Sequence, residues 1–162
     1  MKTVLITVSV LIIACMVLLL VLGVISRSAK APGLHGGKLL KCPDTPNCVS
    51  SEQVNDASHY IDPIIIPAAV TSDPLPAIKG VIVDMGGSIQ AHDGDYVAAV
   101  FSSAIFGFAD DLEVRVDAAE NVIHIRSASR VGHSDAGVNR KRIELFKKRY
   151  TEEAFGNLND DT

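Results

Sequence analysis

The stretch from Val4 to Ile25 limits what this chain can fold into more than any other. It is apolar throughout except for Thr7, Ser9, Cys15 and Gly23. As a helix rising about 1.5 Å per residue, it is long enough to cross a hydrocarbon core roughly 30 Å thick. Behind it, a chain of 162 residues has enough left for one ordinary core. The positive mean hydropathy comes largely from this segment and does not describe the part that follows.

Three readings of the segment compete. The expected one is a signal-anchor helix over residues 1–25, which makes the membrane the first partner. A cleaved signal has an apolar region of roughly 7–15 residues, shorter than this run. Only Ser26-Arg27-Ser28-Ala29 is loosely permissive for cleavage. Ile12-Ile13-Ala14-Cys15 looks like a bacterial lipobox, but apolar residues continue for ten positions beyond Cys15. Orientation is contested. Arg27, Lys30, Lys38 and Lys41 after the helix outnumber Lys2 before it, which by itself would keep the domain in the cytoplasm. A very short N-terminus with one Lys reads instead as an export signal.

Cys42 and Cys48 bracket Pro43-Asp44-Thr45-Pro46-Asn47. Two prolines already bend this loop, so joining the sulfurs costs little further entropy. A disulfide is expected, and it persists only in an oxidising compartment. Two reduced packing cysteines are the alternative. Half a zinc site is a third, but it needs about two more Cys or His ligands. His35, His59, His92, His124 and His133 are dispersed, so no metal and no cofactor is expected. The cysteines tip the localisation towards a bacterial inner membrane with the domain in the periplasm.

Residues 26–41 read as a tether rich in Ser, Gly, Lys and Pro. Residues 42–155 read as a single domain, and 156–162 as a frayed acidic tail. Prolines at 63, 67, 74 and 76 make the stretch from Ile61 to Pro76 irregular or extended. Ser72-Asp73-Pro74 starts a helix running from Leu75 towards Met85 and ending at Gly86-Gly87, although Gly80 and Val81-Ile82-Val83 weaken it. Strands over 88–91 and 96–103 flank His92-Asp93-Gly94-Asp95, a hairpin signal. Leu112 to Asp117 alternates as a half-buried strand and Val122 to Arg126 is its partner, with the chain turning at 118–121. Gly137 to Ala154 is helical, with Ile143, Phe146, Tyr150 and Ala154 on one face and Asp135 or Ser134 as cap. The fold class is α+β: an N-terminal transmembrane helix, then an antiparallel sheet with helices packed on one face.

Charge is segregated. Between Cys42 and Ile125 thirteen acids face two bases, whereas Arg126 to Arg149 carries eight bases and two acids. Either the two regions pair internally, with Asp110 and Asp111 against Arg126 or Arg130, or the basic segment forms an anion-binding or membrane-surface patch. Nucleic acid is not expected as a partner. The soluble part is net negative, and Phe146 and Tyr150 sit on an apolar helix face.

The segments Cys42-Pro43-Asp44-Thr45-Pro46-Asn47-Cys48-Val49-Ser50-Ser51, Phe108-Ala109-Asp110-Asp111, and Arg126-Ser127-Ala128-Ser129-Arg130-Val131-Gly132 through Asn139-Arg140-Lys141-Arg142-Ile143-Glu144 together resemble the bacterial and plastid family catalogued as domain of unknown function 1499. The resemblance spans about Leu40 to Tyr150. It implies a membrane-associated or exported single domain and supplies no catalytic assignment.

The third segment is the best candidate for a binding surface. Asp110, Asp111, Arg126, Ser127, Ser129, Arg130, Asp135, Asn139, Arg140 and Arg142 are expected to gather where the last strand meets the C-terminal helix, as a ligand site or a structural corner. Arg126 and Arg130 offer forked donors to phosphate or carboxylate. A helix starting near Gly137 adds free amides. The expected function is a non-enzymatic binding or scaffold module for an anionic ligand, a lipid headgroup or a protein partner. The alternative is a hydrolase using Ser127 or Ser129 with His133 and Asp135. Spacings of four to eight residues across one turn rarely align such a triad.

Overall fold

The computed structural model describes residues 1–67, 70 and 72–155. The tail at 156–162 lies outside these residues, as do positions 68, 69 and 71 of the proline-rich stretch. The fold is α+β. One long apolar helix, α1 (Lys2–Ser28), precedes a domain with an antiparallel sheet and two helices, α2 (Leu75–Asp84) and α3 (Val138–Phe155). By length and composition α1 can cross a membrane, and only Gly23 and Ser26 of its residues are buried.

The sheet is built on a meander. β5 (Ser88–Asp93), β6 (Tyr96–Ser102), β7 (Ala109–Asp117) and β8 (Val122–Ser129) follow one another as antiparallel neighbours. Gly94 turns the first hairpin at φ 53°, in the left-handed region that glycine enters freely. Two short strands share the outer edge of β8. β3 (Cys48–Ser50) pairs with Arg126 to Ala128, and β4 (Ile64–Ile65) pairs with Val122 and Ile123. A separate hairpin, β1 (Leu34–His35) with β2 (Lys38–Leu39), precedes them.

Helices α2 and α3 cover one face of the sheet. Ile143, Phe146 and Tyr150, recurring at helical spacing, are fully buried there with Ile78, Val81 and Ile82 of α2. They meet Val97, Leu112, Val114, Ile123 and Ile125 from the strands. Helix α2 forms despite Gly80 and its β-branched run because it buries Val81 and Ile82 of that run together with Ile78, so packing overrides propensity. The Asp73 carboxylate accepts from the Leu75 amide and starts the helix.

The segment expected to be a tether lies against the other face. Residues 26–28 belong to α1, and Leu39 is buried with Ala31 against Tyr96 and Ala98. Polar side chains hold this strap: the Gly33 amide donates to Glu113, the Leu39 amide to Glu52 and the Cys42 amide to Gln53. Serine, glycine and lysine in a strap say nothing of the carboxylates that will fix its backbone, so its composition reads as free chain.

Candidate functional site

Strand alternation divides the ten candidate residues between two faces. In β7, Asp110 points to the helices and Asp111 away from them. In β8, Ser127 and Ser129 point to the helices and Arg126 away. On the helix side, Arg142 of α3 donates to Asp110 Oδ2 at 2.6 Å and lies over the Phe101 ring at 4.8 Å. Ser127 Oγ is 2.6 Å from Asn139 Oδ1 and accepts from Arg142 Nη1 at 3.0 Å. Asn139 Nδ2 donates to Ser129 Oγ and to the Asn47 carbonyl, each at 3.0 Å.

Asp135 caps α3. Its Oδ1 accepts from the Gly137 amide at 2.9 Å and its Oδ2 from the Asn139 amide at 2.7 Å. Burial works against its charge, but those amides outweigh burial and hold the carboxyl below its ordinary range. The amides expected to be free for an anion are therefore occupied by the protein's own carboxylate.

On the opposite face the centre is Glu113, which is 0% exposed. Its carboxylate accepts from Arg126 Nη1 at 2.6 Å, from the Tyr96 hydroxyl at 2.6 Å and from the Gly33 amide at 3.1 Å. Burial, then the bond to Glu113, pushes the Tyr96 phenol well up. Of the two arginines expected against Asp110 and Asp111, Arg126 takes Glu113, because those two stand opposite in the ladder. Asp111 takes Arg130, the other expected partner, with both oxygens bound by the guanidinium at 2.7–3.1 Å. Further along, Arg115 bridges Glu52 and Asp117.

Arg130 has a second task. Its Nη1 donates to the carbonyl of Ser26 at 3.2 Å and reaches that of Arg27 at 3.5 Å. These are unpaired carbonyls at the C-terminal end of α1, where a cation also meets the negative end of the helix dipole. Ser26 Oγ accepts from the Ala109 amide at 3.0 Å. A Cβ at position 23 would lie 1.9 Å from the Phe106 carbonyl oxygen, so only glycine lets α1 approach this closely. Arg140 leaves the group altogether, donating to the carbonyls of Tyr60 and Ser58.

The sulfurs of Cys42 and Cys48 stand at disulfide distance, 2.05 Å, packed on Ala128. Their loop is tied to the basic segment through Asn47, whose carbonyl accepts from the Ser129 amide and whose Nδ2 donates to the Gly132 carbonyl. His59 clamps the same loop. Its ring nitrogens lie 2.7 Å from Asp56 Oδ2 and 3.1 Å from the Thr45 carbonyl. The Asp56 bond raises the imidazole above its ordinary pKa.

Serine, histidine and aspartate do not assemble as a triad. Ser127 and Ser129 serve Asn139, and His133 is exposed with no hydrogen bond among the described residues. The β7–β8 turn brings Asp117, Glu120 and His124 within 4.8 Å of one another, a grouping that the dispersed histidines hid. Asp117 already accepts from Arg115 and from the amides of Ala119 and Glu120. Glu113, Tyr96 and Ser26 were also missed. Asn47 stands inside the Cys42–Ser51 segment, and Glu113 lies across the ladder from Arg126.

No curated protein and no solved structure matches the chain. Residues 38–149 match the family described as protein of unknown function (DUF1499), a span that takes in the ion pairs of Arg115, Arg126, Arg130 and Arg142 described above. The three joined segments and this match make the chain a member of the DUF1499 family.

Proposed function

We propose that this protein is a membrane-anchored, non-enzymatic binding or scaffold module, held at a bacterial inner membrane with its domain on the periplasmic side. The observation that carries the reading is Arg130. One guanidinium joins Asp111 of the sheet to the last carbonyls of α1. An anchor on a free tether needs no such clamp. A domain that must present a fixed edge to the membrane, to a headgroup or to a neighbouring protein does. The paired cysteines suit the oxidising side. The hydrolase alternative draws no support from hydroxyls already committed to Asn139.

Fractionation tests this reading. The full chain should stay with membranes through alkaline carbonate extraction, and protease added to intact spheroplasts should digest the domain. Release by carbonate contradicts the anchor, and complete protection contradicts the sidedness. A diacylglyceryl group found on Cys15 by mass spectrometry would replace the helix anchor with a lipid one.

A further inference from the structure

A groove of about 370 Å³ opens where α1 meets the domain. That is within the roughly 300–1,000 Å³ of small-molecule sites. One wall is Leu19 and Leu22 of α1, and the other includes Phe108, Val131 and Val138. No cation lines it, its carboxylates are engaged, and each of its hydroxyls already accepts a bond, that of Ser103 from the Phe108 amide. Asp110 holds Arg142, Asp135 holds the first amides of α3, Ser129 holds Asn139, and Ser134 accepts from the Ala136 amide. What such a lining leaves for a ligand is mostly hydrocarbon with a few serine hydroxyls, and no cation to bind phosphate or carboxylate.

Depth decides the occupant. Arg27 and Lys30 mark where α1 becomes polar. Leu22 and Leu19 lie five and eight residues before Arg27, roughly 8–12 Å deeper along the helix axis. If α1 spans the bilayer, a groove walled by those leucines opens at the level where acyl chains begin. The same edge carries Ile105, 80% exposed, and Val138, 45% exposed, as an interfacial surface would.

We propose that this groove holds one acyl chain of a bilayer phospholipid, which seats the 103–108 and 131–138 loops at the membrane surface. The proposal rests on the membrane anchor described above and gives its ligand a chemistry. Headgroup charge plays no part in it, because the charged groups of the groove are already paired.

The chain has no tryptophan, so one introduced indole reports alone. Full-length Phe108→Trp and, as a control in mid-helix, Leu11→Trp are placed in phosphatidylcholine vesicles whose acyl chains carry bromine. Both should lose emission to chain bromine, and Phe108→Trp should be little touched by aqueous iodide. Val131→Trp, on the same wall, repeats the reading should Phe108→Trp fail to fold. If Leu11→Trp is quenched by bromine while the groove indoles answer only to iodide, the groove holds water and the proposal falls with the anchor intact. If bromine quenches neither, the anchor reading falls and takes the proposal with it.

Discussion

Strands β7 and β8 carry Leu112, Val114, Ile123 and Ile125 into the helices on one face, and Asp111, Glu113 and Arg126 towards the strap on the other. The first face is sealed by shape and apolar area, so many side chains of similar volume would serve. The second is sealed by complements. Each buried charge there is tolerable only while its partner stays, and Glu113 needs Arg126, Tyr96 and the strap amide of Gly33 together. The apolar face thus stabilises the domain whatever precedes it, while the charged face records where α1 and the strap must lie.

That contrast breaks most visibly at single and paired deletions. Phe146→Ala should cost about 3–5 kcal/mol through lost area and a cavity. Glu113→Ala should cost a similar amount, about 3–5 kcal/mol, because Arg126 is left buried and alone. Their repair should differ. Glu113→Leu combined with Arg126→Met should recover part of the loss in urea unfolding, the remainder being the Tyr96 hydroxyl and Gly33 amide left without their acceptor. A double variant no better than the single one would show that the two faces are held alike.

Smaller effects sharpen the picture on each side. Cys42→Ser should cost about 2 kcal/mol for so short a loop, and a reductant should then leave the variant's midpoint unchanged. On the helix face, Asp135→Ala removes the cap of α3 and should cost about 1 kcal/mol, read as a lower thermal midpoint. The smallest effect is the pH dependence at His59. Its folded pKa is raised above 6.5. The stabilisation is therefore complete below that value and is lost as pH rises through the folded pKa. The urea midpoint should fall as pH rises above about 6.5, and His59→Gln should flatten that slope. An equal slope in both proteins removes His59 from the account.

Local signals were the legible part of the fold. Asp93-Gly94 marks its hairpin, and Ile143, Phe146 and Tyr150 mark a helix face, because neighbours in sequence decide those structures. The charged face depended on register. A turn at 118–121 already places Glu113 opposite Arg126, yet the adjacent Asp110-Asp111 suggested a different match. Adjacent strand residues point to opposite faces, which is why Arg142 and Arg130 take one aspartate each. The strap and the end of α1 were illegible for another reason. Gly33, Ser26 and the backbone around them act through amides and carbonyls, which every sequence has. In sequence Gly23 is one more break in an apolar run, and only the Phe106 carbonyl packed against it shows why it is glycine.

Arg130 joins the sheet to α1 from inside the fold. The most direct test is the urea midpoint of full-length Arg130→Ala. The buried Asp111 carboxylate, only 4% exposed, loses its partner, so stability should fall by about 3–5 kcal/mol. A wild-type midpoint together with lost cellular function would contradict the claim and make Arg130 a residue that meets a ligand.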